Sequence, residues 1–158
     1  MQSDESKITL RPMTAEDTDN IVLWRNRDFV RKNFIDQRLF TPESHMEWYR
    51  TRVLTGQVVQ FIIEVNAIPV GSVYLRDINR SELMAEYGIF IGVEEYCGHG
   101  IGTKVCGMMS DFAKTELKLK KLFLKVRSEN ALARNSYENN GFIPVREENG
   151  IIYMEREL

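Results

Sequence analysis

The sequence predicts one α/β domain, a mixed sheet in a single layer with helices packed on it. Three observations carry that expectation. The chain has 158 residues, which suits one domain with one core. No internal repeat, low-complexity stretch or Pro/Gly-rich linker divides it. Its hydrophobic period changes in the order strand, two helices, three strands, helix, strand, helix, two strands.

Each element has a local reason. Ile8 to Arg11 alternates as a short first strand, and residues 1–7 read as a loose tail. Thr14 can cap a helix running to about Arg25, with Ile21, Leu23 and Trp24 among its apolar residues. Thr41-Pro42-Glu43-Ser44 opens a second helix, with Thr as N-cap and Pro in the first position, and Gly56 ends it. Val58 to Val65 is β-branched and aromatic; Ile68 to Leu75 follows a turn at Asn66, and Leu83 to Val93 is a further strand. A helix from about Thr103 to Leu117 shows apolar residues at Val105, Met109, Phe112 and Ala113. Lys121 to Val126 is a strand, Ala131 to Asn139 a helix closed by Gly141, and two short strands finish at Val145 and Tyr153.

Composition excludes several classes. At 43% hydrophobic and 28% charged, with a net charge of -2, no global field marks a nucleic-acid or membrane-surface binder. No apolar run approaches the ~18 residues that span a bilayer. Met1 to Ser6 is polar and acidic, unlike a signal peptide, so a cytoplasmic protein is expected. Cys97 and Cys106 stand nine residues apart without a CxxC, and only two histidines occur, so neither a metal site nor a disulfide framework is expected.

The most informative stretch is Ile89-Phe90-Ile91-Gly92-Val93, then Cys97-Gly98-His99-Gly100-Ile101-Gly102-Thr103. A strand runs into a glycine-rich turn, and the turn into a helix. Glycines let backbone N–H groups point into one space, and a helix N-terminus adds about half a positive charge there. A P-loop would need Gly-Lys-Ser/Thr, whereas Gly102 is followed by Thr103 and only then Lys104. A dinucleotide fingerprint would need its third glycine one place later and a position near the start of a long βαβ array. An acyl-coenzyme A loop fits Gly100 and Gly102, and a tight turn with glycines for geometry alone remains open.

A second motif, Asn130-Ala131-Leu132-Ala133-Arg134-Asn135-Ser136-Tyr137 followed by Gly141-Phe142, lies roughly thirty residues further on. On a helix Asn130, Ala133 and Tyr137 share one stripe, and small Ala133 lets a ligand approach the backbone. Read alone, that stripe is equally a core face with Asn130 as N-cap.

The pairing of the glycine loop with Asn-x-x-Ala-x-x-x-Tyr-x-x-x-Gly-Phe resembles the GNAT (GCN5-related) N-acetyltransferases, from Ile8 to Glu155. The resemblance implies a mostly antiparallel sheet of about seven strands with four helices and a splayed central strand pair. It implies acetyl-coenzyme A as cosubstrate, its pantetheine arm along Ile91, Gly92 and Val93. The pyrophosphate would sit on the amides of Gly98, His99, Gly100, Ile101, Gly102 and Thr103. Asn130, with Ala133 beside it, would face the cofactor arm. Cys97 stands where the family usually has Gln or Arg, which implies some lost affinity. Tyr137 matches the family's general acid, whose phenol donates to the departing sulfur.

For the base, the residues themselves offer Glu86. It sits mid-strand, with Met84, Gly88 and Phe90 on its face and apolar residues on the other, so desolvation would make it a better proton acceptor. A solvated glutamate is the competing reading. His99 is expected in solvent near phosphate, and His45 as a capping or packing residue. The lysines at 114, 118, 120, 121 and 125 read as a solvated face.

The acceptor should be set by the first two helices and their joint. Trp24-Arg25-Asn26 and the His45 to Trp48 segment resemble the nucleotide-linked amino-sugar N-acetyltransferases of the pseudaminic acid pathway, so these three residues are expected to bind a nucleotide sugar. The alternative acceptors are a protein N-terminus, a ribosomal protein or an aminoglycoside. Another class is a non-catalytic acyl-coenzyme A sensor. A monomer or homodimer is expected.

Overall fold

The computed structural model describes residues 7–158. Its strands are β1 (Ile8–Pro12), β2 (Val59–Val65), β3 (Ile68–Asn79), β4 (Met84–Ile91), β5 (Lys121–Arg127), β6 (Ile143–Glu148) and β7 (Ile151–Glu157). They form one seven-stranded sheet in the order β1-β2-β3-β4-β5-β7-β6. Every neighbouring pair is antiparallel except β4 with β5. That parallel pair joins only at Met84–Lys121, Ala85–Leu122 and Glu86–Phe123. Beyond it the strands diverge. Held by β3 as far as Ile91 on one side and by β7 as far as Arg127 on the other, they open a wedge between them.

Five helices cover the sheet: α1 (Thr18–Asn26), α2 (Asp28–Arg31), α3 (Pro42–Trp48), α4 (Ile101–Thr115) and α5 (Ala131–Asn139). β4 shows why both faces are needed. Ala85 and Tyr87 pack in the larger core with Val105 and Met109 of α4 and Tyr137 of α5. Phe90 points the other way, into a smaller cluster with Ile21, Trp24, Val30 and Ile62. The period-2 alternation of one central strand thus feeds two cores.

Several boundaries move from their sequence-based positions. Thr14 does form a capping box, but over the 3-10 turn Ala15–Asp17, and α1 follows from Thr18. The four-residue α2 escaped the sequence reading because so short a run has no period to detect, and it makes the helices five rather than four. The Thr41 cap and Pro42 stand as read, with Ser44 completing the box; α3 then widens into a π-helical turn over Tyr49–Val53. β3 runs on to Asn79 rather than stopping at Leu75. β4 stops at Ile91 rather than Val93, because the Gly92 N–H donates to the Val70 carbonyl and a 3-10 turn, Glu94–Tyr96, begins just beyond. Residues 1–6 of the expected tail lie outside the described residues. Lys7 is tied down, its N–H donating to Asn66 Oδ1 at 2.9 Å and its carbonyl accepting from the Asn66 N–H.

Gly92 joins the two cores at close quarters. A Cβ there would run into Cβ, Cγ and Cδ1 of the buried Trp24. Trp24 cannot retreat without opening the smaller cluster, so Gly92→Ala should destabilise by about 1–3 kcal/mol, the usual cost of overpacking. A thermal melt should place the variant's Tm roughly 3–10 °C below the parent; an unchanged Tm would mean that Trp24 moves freely.

Candidate functional site

A cavity of about 1000 Å³ opens between the β4/β5 wedge, the first turns of α4 and α5, and the segment from α1 to α3. Its best-defined wall is the glycine loop. Gly98 and Gly100 hold φ of 78° and 82°, the left-handed region that lets the chain turn straight into α4. Among the described residues, none accepts a hydrogen bond from the amides of Gly98 through Thr103. Gly98, Gly100, Ile101, Gly102 and Thr103 all line the cavity. Unpaired donors at a helix N-terminus make an anion cradle.

The cradle is anchored to α5. Thr103 Oγ1 donates to Ser136 Oγ at 3.1 Å, and Asn140 Nδ2 donates to the carbonyls of Thr103 (2.9 Å) and Ser136 (3.0 Å). Asn130 caps α5, its Oδ1 accepting from the Ala133 N–H at 3.4 Å, and both residues line the cavity. Three cofactor residues named from the sequence, Gly92, Val93 and His99, do not line the cavity. His99 is exposed and does not line the cavity. Gly92 is buried with both polar groups engaged: its N–H meets Val70, and its carbonyl accepts from Arg27 Nη1 at 2.6 Å. Val93 packs between the two cores, and Ile91 alone of that trio faces the cavity.

Tyr137 lines the cavity from α5, buried edge-on against Tyr87 with ring centroids 6.0 Å apart. Burial pushes its phenol well above the ordinary tyrosine range. Glu86 also lines the cavity at 5% exposure, so it is not a solvated glutamate. Nor does it have only apolar neighbours. Its cross-strand partner is Arg76, whose Nε and Nη2 each donate to one carboxylate oxygen at 3.2 Å. The sequence reading ended β3 at Leu75, one residue short of that arginine. Burial pushes the Cys106 thiol up to about 11 and raises Cys97 as well, so neither is poised as a thiolate nucleophile.

The three residues expected to bind an acceptor separate. Trp24 is core, 4% exposed and off the cavity wall. Asn26 spends its amide on the backbone of Phe40, donating to the carbonyl (2.8 Å) and accepting from the N–H (2.7 Å), which pins the segment before α3. Arg25 alone reaches the cavity. It is buried, donates from Nη2 to the Asp36 carbonyl at 2.6 Å, and lies 3.5 Å from the centroid of Phe34.

His45 also lines this half of the cavity, bonded through Nδ1 to Thr18 Oγ1 at 3.0 Å, while its buried Nε2 has no partner. Thr18 donates its hydroxyl to Met46 Sδ, so it accepts from Nδ1–H and leaves a lone pair on Nε2. Sequence reasoning also missed Tyr74, set opposite Gly88 in the ladder, where a side chain would strike its ring. A glycine inside a strand was the available signal of a close approach.

Comparison with known proteins now bears on this geometry. Residues 7–143 match the family model for the acetyltransferase (GNAT) domain. The chain is 28% identical over 135 residues to a spermidine N(1)-acetyltransferase of Escherichia coli K12, covering 85% of this chain and 72% of the relative. It is 27% identical over 139 residues to the enzyme of that name from Vibrio cholerae, covering 87% and 80%. Among solved structures, the Vibrio cholerae spermidine N-acetyltransferase with CoA and spermine superposes with a TM-score of 0.86 at 24% identity, over 95% of each chain. A dodecameric form of that protein superposes with a TM-score of 0.79 at 24% identity, over 95% and 93%. These relatives carry polyamine names, not the amino-sugar ones to which Trp24-Arg25-Asn26 had pointed.

Burial holds His45 below its ordinary 6.5. The folded protein therefore refuses a proton that the unfolded chain accepts. Stability should be unaffected by this group well above pH 6.5 and should fall as the pH drops through that value. His45→Gln should lose less Tm than the parent between about pH 8 and about pH 5. Parallel Tm curves would remove His45 from the acid response.

Proposed function

The chain belongs to the acetyltransferase (GNAT) family, and from that premise we propose that it acetylates the primary amine of a small molecule inside this cavity. As a member it is an N-acetyltransferase with acetyl-coenzyme A as cosubstrate. The observation that carries the acceptor reading is the continuity of one cavity from the unpaired amides of the glycine loop, past Tyr137, to the enclosed walls around Arg25 and His45. That is room for a compact ligand.

The residues fit acetyl-coenzyme A. The amides from Gly98 to Thr103 would take the pyrophosphate, with His99 at the solvent edge of that loop. The wedge edge of β4 beyond Glu86, ending at Ile91 beside Gly92 and Val93, would take the pantetheine arm. Asn130 and Ala133 would flank that arm from α5. Arriving as an ammonium, the acceptor must first lose a proton, and Glu86 is the carboxylate available to take it. Arg76 donates to both of its oxygens and fixes their position, and Glu86 would take the proton through a lone pair that Arg76 leaves free. The freed nitrogen attacks the thioester carbon, the C–S bond breaks, and sulfur leaves with a proton while nitrogen gives up its excess one.

Tyr137 stands to donate to that sulfur. A phenol held above ~10 is a weaker acid than a thiol near ~8.5, so outright transfer to the thiolate runs uphill. The phenol works as a hydrogen-bond donor whose proton is replenished from the nitrogen made acidic by attack. Its burial guarantees that it arrives protonated.

Three measurements test this. Acetyl-coenzyme A in large excess should stabilise the protein by about 2–4 kcal/mol, and NADH or ATP should do so less. Tyr137→Phe should lower kcat by ~10²-fold or more with little change in the KM for acetyl-coenzyme A. An unaltered kcat would leave Tyr137 as core and hand the proton to water. Glu86→Gln should lower kcat and flatten the acidic limb of the pH–rate profile; a profile unmoved would assign deprotonation to solvent.

A further inference from the structure

The half of the cavity beneath α1 to α3 is cationic. Arg25, Lys32, Arg38 and Arg76 stand around it against Asp36 and Glu86. Each carboxylate already has an arginine balancing its charge. Asp36 accepts from Arg38 Nε and Nη2 and from the Arg38 amide, which holds it at about 2. Glu86 is bonded twice to Arg76. Arg25 therefore has no carboxylate hydrogen-bonded to it among the described residues; the nearby Asp36 charge favours it but is bonded to Arg38.

Its surroundings make that unusual. Arg25 is 3% exposed, and its only described hydrogen bond goes to a neutral carbonyl, that of Asp36. Nη1 is buried and has no partner at all. The guanidinium plane is held by phenyl rings, its carbon 3.5 Å from the centroid of Phe34 and 4.7 Å from that of Phe40. A buried cation with no carboxylate bonded to it is disfavoured unless something ionic meets it. A planar, pre-set guanidinium with a free N–H matches the oxygens of a carboxylate or phosphate.

We propose that the acceptor amine carries an acidic group, a carboxylate or a phosphate, and that Arg25 holds it while the amine reaches Glu86 and Tyr137. This rests on the acetyl-transfer reading above and names the class of substrate for that site. It also separates this chain from its polyamine-named relatives, because spermidine brings several ammonium groups to a wall that already has cations in excess.

The test is a matched panel of amines with the parent enzyme. β-Alanine is compared with β-alaninamide for the carboxylate, and O-phosphoethanolamine with ethanolamine and glucosamine 6-phosphate with glucosamine for the phosphate. Spermidine is the polycation. In at least one arm the acidic member should show a kcat/KM about tenfold or more above its neutral twin and above spermidine, and the arm identifies the acid. Arg25→Gln should bring the twins together while the KM for acetyl-coenzyme A stays put, and Arg25→Lys should restore part of the gap. The parent panel stands on its own should Arg25→Gln fail to fold. Twins acetylated alike, or spermidine preferred throughout, overturns this inference and leaves acetyl transfer standing. A folded Arg25→Gln that keeps the preference overturns it too. No transfer to any amine, although acetyl-coenzyme A raises Tm, overturns both.

Discussion

Two central strands that begin as partners and then part set the terms for everything around them. The parallel contact of β4 with β5 lasts three residue pairs, and each strand is then carried away by its antiparallel neighbour. Past that point their facing N–H and C=O groups have no ladder partner, in the middle of a sheet where such groups are normally satisfied. That leaves a strand edge open toward the cavity. The same divergence admits the glycine loop between strand and helix, and it brings Tyr137 from the far side to the cavity wall.

The sheet is thin enough that residues without side chains decide how its layers meet. Gly88 lets the Tyr74 ring lie across β4, and Gly92 lets Trp24 press against the strand's end. The second approach closes the smaller core at Trp24, while the first sets the Tyr74 ring in the cavity wall, and burial then acts on the polar groups that remain. Arg25 and His45 are both nearly inaccessible, and each keeps one nitrogen unpaired. Tyr87 does the same with its hydroxyl on the opposite face.

Legibility in the sequence followed the range of the interaction. The order of elements, the Thr41-Pro42 start, the glycine loop and the Asn130 to Tyr137 stripe are all local, and each was readable from spacing. The Arg76–Glu86 pair depends on register between two strands and on β3 running past Leu75, which no local pattern announced. Trp24-Arg25-Asn26 shows the limit from the other side. Three adjacent residues on a helix point in three directions, so one enters the core, one braces a loop and one reaches the cavity. Similarity along the chain could not separate those fates; only the packing of the segment from 33 to 40 does.

Asn140 links the start of α4 to the end of α5, so the anion cradle and the phenol form a single mechanical unit resting on the larger core. The walls around Arg25 and His45 rest on a different one. The two halves still touch where Trp24 lies on Gly92 and Arg27 bonds its carbonyl, so a change in the packing of α1 reaches the end of β4 through that one glycine.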